Sequence, residues 1–333
     1  MERLCVACLL MVSVSLPSEG HPCGDGGPCP TQTLDGKELT MMFYDFMKTY
    51  GKIYKDQKEE THRFKIFVEN LERAKKLQEE ERGTAEYGVT KFSDLSEAEF
   101  KGGSVQPDIH LSCHKVNTNN QMENLPDSKD WRDSNSVTNV KDQGKTCNSC
   151  WAFAVVANVE SQWAIKTKKL ISLSSQEVLD CAEAGNCSCG YIDVAFKSLI
   201  SKGLMSEEDY KYKATIDDCH INNAKIVVKV KSCEYLVKDE TAMKQYVALN
   251  GTITTLVNPN GLKDYNCGII KTQVPSLGKH HAVLIVGYGV ESKVPYWIVK
   301  NSWGKDWGEE GYFRIYRGGN IHGIAEYPMT ATV

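Results

Sequence analysis

Apolar residues recur at helical intervals in two stretches near the amino end of the chain. Leu39 to Tyr50 carries Met42, Phe43, Phe46, Met47 and Tyr50, three or four apart where they repeat, as on one face of a helix. A second, longer helix is predicted from about Gln57 to Glu81. Within it Glu59, Arg63, Phe67, Asn70, Ala74 and Gln78 advance by three or four and share a face. Polar members among apolar ones predict an internal polar network along that stripe. Trp151 to Leu199 again reads as mainly helical, interrupted by a cysteine-rich turn at 185–190. From Lys225 the pattern shortens into β-rich runs at 226–230, 252–257, 282–286 and 296–299. A helical half is thus followed by a β-rich half, and a cleft between two such lobes is where substrate sites tend to form.

The ends and joints of this pattern add processing signals. Met1-Glu2-Arg3, an apolar stretch from Leu4 to Leu16 and then Pro17-Ser18-Glu19-Gly20 follow the order of a secretory signal, with cleavage expected near Gly20. The stretch is shorter than the roughly 20 apolar residues a bilayer needs, and no later segment qualifies, so no membrane span is expected. His21 to Pro30 is rich in Gly, Pro and Cys and reads as poorly ordered. Residues 101–124 are polar, include Asn117-Thr118-Asn119-Asn120-Gln121, and read as an exposed linker suited to cleavage. The processed chain is expected to begin between about Met122 and Asp127.

Composition changes little in this picture but excludes some partners. At 333 residues, 41% hydrophobic and 25% charged, the chain is an ordinary globular protein of about two domains. A net charge of −4 gives no reason to expect nucleic acid or an anionic membrane as partner. Glu79-Glu80-Glu81 reads as a solvated helix face. Thirteen cysteines suit an oxidising compartment. Cys5 and Cys8 fall in the signal, Cys23, Cys29 and Cys113 before the linker's end, and eight beyond it. If one of the eight is kept as a thiol, the odd remainder cannot pair internally. At least one more is then unpaired, intermolecular or joined to the upstream segment.

The chemistry centres on Gln143-Gly144-Lys145-Thr146-Cys147-Asn148-Ser149-Cys150-Trp151-Ala152-Phe153. Cys150 stands where a polar, glycine-containing loop gives way to an apolar helical stretch, and a helix N-terminus stabilises a thiolate. His281-Ala282-Val283 and Lys300-Asn301-Ser302-Trp303-Gly304 follow at about 130 and 150 residues, the ~130–150 spacing of a Cys-His-Asn peptidase. An isolated cysteine is more often a small buried hydrophobe, and an isolated loop Asn a turn residue. Three matches in register override both. Three other readings compete. Cys147-Asn148-Ser149-Cys150 is formally a C-x-x-C redox motif but lacks a βαβ context. Cys187-Ser188-Cys189 with nearby histidines gives no clean zinc set. A papain-fold binding protein with weak or no activity is the more serious alternative, given Asn148, Cys189, Lys279 and His280 near the cleft.

These motifs make the chain similar to papain-family cysteine peptidases over roughly residues 40–333. The stripe from Glu59 to Gln78 resembles the family's ERFNIN propeptide signature, with Ala74 and Gln78 as in the cathepsin F and W branch. Gly88-Val89-Thr90-Lys91-Phe92-Ser93-Asp94 resembles the second propeptide motif. Cys147-Asn148, Gly311-Tyr312-Phe313-Arg314 and the ending Gly323 to Ala331 resemble the W side of that branch. The resemblance implies an α+β, papain-like two-lobe fold, a helical lobe at about 125–224 and a β-barrel-like lobe at about 225–333, behind an N-terminal helical propeptide. It divides the chain into a signal (1–20), an inhibitory propeptide (21–124) and a peptidase domain (125–333). The propeptide is expected to pack on the β-rich lobe, run its tail through the cleft and assist folding.

The roles implied are Cys150 as nucleophile, His281 as base and acid, Asn301 as orienter of that ring and Gln143 as oxyanion donor. His280 competes with His281, but the family's catalytic histidine precedes Ala. Trp303 would shield the His–Asn bond. Gly190 would hydrogen-bond an extended peptide, and Tyr191, Ile192, Pro259, Ala282 and Tyr327 would line a pocket for medium apolar or aromatic side chains, with Lys279 at its rim. Cys147–Cys187 and Cys181–Cys219 are the implied bridges. A third is missing its partners, because Val274 and His322 stand in their places. Cys189, Cys233 and Cys267 have no assigned partners. Asn250-Gly251-Thr252 is a plausible glycosylation site, and Asn186-Cys187-Ser188 is expected to stay unmodified. No cofactor and no metal is expected. The expected partners are peptide or protein substrates, the chain's own propeptide and cystatin-like inhibitors. The expected location is the secretory pathway, in lysosome, endosome or endoplasmic reticulum, or outside the cell.

Overall fold

The computed structural model describes residues 35–100, 103, 105, 113–116, 124–275 and 278–333. The expected signal, the stretch at 21–30 and linker residues 117–121 lie outside them. Helix α1 (Gly36–Thr49) opens with a capping box, in which Asp35 accepts from the Glu38 amide and Glu38 accepts from that of Asp35. It buries Phe43 and Phe46 against Phe67 of helix α2 (Gln57–Glu80), with ring centroids 5.4 and 5.1 Å apart. The α2 stripe forms the polar network its composition predicts. Arg63 donates to Glu99 and to the Asp94 carbonyl, and Asn70 Nδ2 to the carbonyls of Ser93 and Leu95. Gln78 bridges the Ala85 carbonyl and the Tyr87 amide. The chain returning along α2 is mostly irregular, so side-chain amides and guanidinium satisfy backbone groups a sheet would otherwise pair.

Strand β1 (Glu86–Tyr87) belongs to this unit; β2 (His114–Lys115) follows it and β3 (Lys129–Asp130) opens the following domain. The helical lobe is built on α3 (Cys150–Thr167), apolar and buried on nearly all sides, as a central core helix is. Helices α4 (Ser175–Cys181) and α5 (Ile192–Lys202) pack on it. Strand β4 (Leu204–Met205) pairs with β5 (Ile226–Val228), so the first predicted β-run stays apart from the main sheet. That sheet contains β6 (Ser232–Tyr235), β7 (Ile253–Val257), β9 (Ile269–Ile270), β10 (His281–Glu291), β11 (Val294–Lys300), β12 (Tyr312–Tyr316) and β13 (Met329–Thr332). Helix α6 (Glu240–Leu249) lies between β6 and β7 in sequence, and the short β8 (Tyr265–Cys267) pairs with β1. With β2 and β3 the sheet has nine strands, in the order β2-β6-β13-β7-β10-β11-β12-β9 with β3 on β10. Among the described residues its end strands do not pair with each other, so the sheet does not close into the expected barrel.

Two joints position the cleft. Strand β10 runs on to Glu291, past the predicted 286, because its hairpin with β11 supplies partners as far as Val294. Helix α3 packs across β10, bringing the helix that starts at Cys150 to the strand that starts at His281. The N-terminal helical unit packs on the β-rich lobe. Strand β1 pairs with β8, and Thr90 Oγ1 donates to the Lys263 carbonyl. Arg73 forms a bidentate pair with Asp264.

Candidate active site

The turn before α3 is fixed by covalent and hydrogen bonds. Cys147 is bonded to Cys187, and the Asn148 amide donates to the Cys187 carbonyl. Cys147 therefore does not pair with Cys150, and the C-x-x-C reading falls. Ser149 is the N-cap, yet its hydroxyl does not cap the helix. It donates instead to the Tyr212 hydroxyl at 2.5 Å, which in turn donates to the Gln143 carbonyl at 2.9 Å. The first amides of α3 thus keep their positive end toward Cys150, a buried residue outside any disulfide.

His281 opens β10 opposite Val257, and Asn301 follows the last residue of β11. The His281 Nε2 lies 2.7 Å from Asn301 Oδ1, which also accepts the Ser302 amide at 2.8 Å. An oxygen that takes one N–H identifies itself as the amide's acceptor, so Nε2 must carry the ring proton. Nδ1 then keeps its lone pair, and it is buried without a hydrogen-bond partner among the described residues. That is the atom a base needs. Trp303 stacks on the ring at 4.7 Å and keeps water from the His–Asn bond. Burial pushes the His281 pKa down to about 4, with the Asn301 bond opposing it. His280 is elsewhere in the cleft. Its ring stands edge-on to Tyr327, centroids 6.0 Å apart, and burial lowers its pKa.

Gln143 ties the two halves together. Its amide donates to the Ser302 carbonyl, and its Oε1 accepts from Ser302 Oγ, both at 2.8 Å. With Oε1 occupied, Nε2 points the other way, with only a long 3.4 Å contact to the Cys147 carbonyl. A donor in that position is able to serve a developing oxyanion.

The pocket residues divide. Gly190 packs its bare backbone against the Trp151 indole, where a Cβ would lie 2.4 Å from the ring. Ile192 and Ala282 are buried in the cluster that also takes in Val105, with Tyr327 half-buried against it. Pro259 lines a neighbouring hollow with Phe100, Gly103, Lys263 and Lys279. Tyr191 is the half-buried N-cap of α5. Asn250, the C-cap of α6, is exposed.

The cleft is covered. Val105 pairs with Gly190 in parallel, and its amide donates to the His280 carbonyl at 3.0 Å. Gly103 lies so close that a Cβ on it would sit 2.9 Å from His281 Cβ. Phe92 and Phe100 stand edge-on to Trp303, at 5.7 and 5.1 Å. Lys91 reaches Asp142, Asp306 and the Trp303 carbonyl, each at 2.8 Å. Sequence reasoning singled out the motif holding Lys91 and Phe92 but assigned neither a partner. It also missed Lys263, buried against Asn70, the Leu95 carbonyl and Glu97. For Glu97, burial pushes the carboxyl up, but Lys263 and Arg73 outweigh it and hold the pKa below the usual range.

The expected bridges Cys147–Cys187 and Cys181–Cys219 are present. Cys233, which had no assigned partner, is bonded to Cys113. Where the third bridge is missing, polar contacts hold the loop instead. Buried His322 donates from Nδ1 to the Asn258 carbonyl, and Asn258 Nδ2 donates to the Val274 carbonyl. No group of three or more His, Cys, Asp or Glu suited to a metal occurs among the described residues, and no helix among them is long and apolar enough to cross a membrane.

Comparison with known proteins places this geometry. Residues 125–332 match the papain family cysteine protease profile, and residues 43–100 match the cathepsin propeptide inhibitor domain (I29). Mouse cathepsin F is 39% identical over 89% of the chain and 65% of its own length. Mouse cathepsin W is 37% identical over 93% of the chain and 89% of its own. The structure of digestive procathepsin L2 proteinase from Tenebrio molitor larval midgut superposes with a TM-score of 0.82 at 33% identity, covering 89% of this chain and all of that one.

Proposed function

Because the chain belongs to the papain family of cysteine proteases and carries a cathepsin propeptide inhibitor domain, we propose that it is a zymogen cutting peptide bonds through a Cys150–His281 pair. The observation that carries this reading is the ring of His281, held by Asn301 at Nε2 and left with a bare, buried Nδ1. Nδ1 takes the Cys150 proton, and the thiolate at the α3 N-terminus attacks the substrate carbonyl. The oxyanion sits between Gln143 Nε2 and the Cys150 amide. The imidazolium then protonates the leaving amine, and water, activated by the same nitrogen, releases the acyl group from Cys150.

Substrate lies extended along Gly190, with one side chain in the hollow formed by Ile192, Ala282 and Tyr327 that Val105 marks in the covered state. A productive peptide pairs with Gly190 in the antiparallel sense. The propeptide pairs in parallel, which lets it fill the cleft uncut. We assign residues 1–20 to a secretory signal, 21–124 to the propeptide and 125–333 to the peptidase, acting in lysosome, endosome, endoplasmic reticulum or outside the cell. Asn250 is the proposed glycan site, and cystatin-like proteins are proposed inhibitors. The test is labelling of the processed protein by an epoxysuccinyl probe. Adduct mapped to Cys150 is expected; correctly folded, propeptide-free protein that takes no label would leave a papain-fold binding module as the better reading.

The burial of His281 also predicts how acid acts on the covered form. In the covered state burial holds the ring down to about 4; uncovering it raises the pKa toward the ordinary histidine value of about 6.5. Between these values the open state binds more protons. The stability of the covered state is therefore complete above about pH 6.5 and is lost as pH falls toward 4, by up to about tenfold per unit. Hydrogen exchange of the amides at 88–95 in a Cys150→Ala zymogen should lose protection across that window. Protection independent of pH would remove His281 as the sensor.

A further inference from the structure

The chain carries a covalent link where latency would otherwise depend on non-covalent contacts. Cys113 and Cys233 form a disulfide across 120 residues, joining the end of the propeptide to the β-rich lobe. A second observation accompanies it. Immediately after Cys113, β2 lies parallel on the outer edge of β6, pairing His114 with Glu234 and Lys115 with Tyr235, and the Val116 amide donates to the Tyr235 carbonyl. Cys113 is 8% exposed and Cys233 1%, both within the core that also contains Val105 and Cys150. The segment is thus built into the peptidase sheet as its edge strand. Residues 113–116 of the 101–124 stretch expected to be an exposed linker are therefore part of the fold, and the polar run at 117–121 follows them.

We propose that Cys113–Cys233 is a tether that keeps the cleft covered after the linker is cut, so that activation needs reduction of this disulfide as well as proteolysis. This rests on the peptidase reading of Cys150. A cut between residues 117 and 124 breaks the main chain but leaves everything up to Val116 bonded to β6. Val105, seated at Gly190 and His280, is only eight residues before the tether. A ligand held on so short a linker is presented at about millimolar effective concentration. The propeptide therefore rebinds faster than it can diffuse away. Release follows thiol–disulfide exchange with a dithiol reductant. One of its thiolates attacks Sγ of one of the two cysteines, expelling the other as a thiolate and leaving a mixed disulfide; its second thiol then displaces the attacked cysteine and closes the reductant's own disulfide. The products are two protein thiols and the oxidised reductant, with two electrons and two protons transferred.

The experiment uses the full-length protein with a site-specific protease sequence placed at residues 117–121, cut at neutral pH and about 1 µM. Without reductant, the cut protein is expected to migrate as one disulfide-linked species. Its Cys150 should take an epoxysuccinyl probe roughly 10²–10³-fold more slowly than that of the cut Cys113→Ala/Cys233→Ala variant, from the ratio of millimolar to micromolar propeptide. Dithiol treatment should release the propeptide and bring the two rates together. Equal rates without reductant would overturn the proposal. Should the double variant fail to fold, a second protease site between residues 106 and 111 in the chain with native cysteines replaces it. Cutting both sites should then free Cys150 with the disulfide intact, and continued slow labelling would show that the tether is not what holds the cleft shut. Absence of label in every form, reduced or not, would instead count against the peptidase reading.

Discussion

Replacing Cys150 with alanine is expected to lower kcat for peptide hydrolysis by roughly 10⁵–10⁶-fold, the scale on which removal of a serine-peptidase nucleophile acts. The size follows from what remains. Gln143, the α3 amides and His281 would still bind and polarise a peptide, but no group would form the acyl intermediate, and His281 would have only water to deprotonate. The substitution should be tolerated structurally. Cys150 is buried among apolar neighbours, Ala has a higher helix propensity than Cys, and α3 has 17 other residues to hold it. Full-length protein should therefore fold, lack self-processing and accumulate uncut. The decisive measurement is turnover of a fluorogenic peptide by variant and wild type, both processed by an added protease. If the variant kept a tenth of wild-type activity, another group would be the nucleophile. Cys189, at the mouth of the cleft, would be examined first.

How far the site could be read in advance depended on the range of the interactions involved. The helix faces of α1 and α2 are local periodicities, and both helices start and stop within three residues of where those patterns place them. The stripe at Glu59, Arg63, Asn70 and Gln78 announced a polar network because polar residues on a buried face must find partners. Cys150, His281, Asn301 and Gln143 were legible as motifs, and the hydrogen bonds now link Gln143 to Ser302 and His281 to Asn301. The choice between His280 and His281 rested on motif resemblance, whereas the structure shows the His281 ring bonded to Asn301 and the His280 ring against Tyr327.

The long-range pairings were not legible. Counting cysteines showed that one could not pair within the peptidase part, and joining to the upstream segment was left open, but no local pattern selects Cys113 for Cys233. Likewise no motif or spacing singles out Arg73, Lys263, Asp264 and Glu97. Only docking α2 on the β-rich lobe brings them together, with Lys263 and Asp264 buried. The missing third bridge was visible as Val274 and His322. Its replacement by Asn258 was not, because that depends on which carbonyls come within reach of one side-chain amide.

Gln143→Ala is expected to lower kcat/KM by about 10²–10³-fold, or about 2.7–4 kcal/mol of transition-state stabilisation, with KM changed much less than kcat. The asymmetry of the side chain allows a sharper test. Its Oε1 holds Ser302 Oγ, a structural bond, while its Nε2 is the group proposed for the oxyanion. Gln143→Glu keeps the acceptor and the shape but replaces the donor. At neutral pH an ionised carboxylate in its place would repel both the Cys150 thiolate and the oxyanion, so this variant should be at least as impaired as Gln143→Ala. Position 143 is fully buried here, and burial favours the neutral carboxylic acid. A protonated carboxyl donates again. The activity of Gln143→Glu relative to wild type should therefore rise as pH falls, whereas that of Gln143→Ala should stay flat. A purely structural role through Ser302 predicts the opposite ranking, with the glutamate variant better than the alanine variant at every pH. Profiles of kcat/KM against pH for the three proteins, with thermal unfolding to confirm equal folding, separate the two.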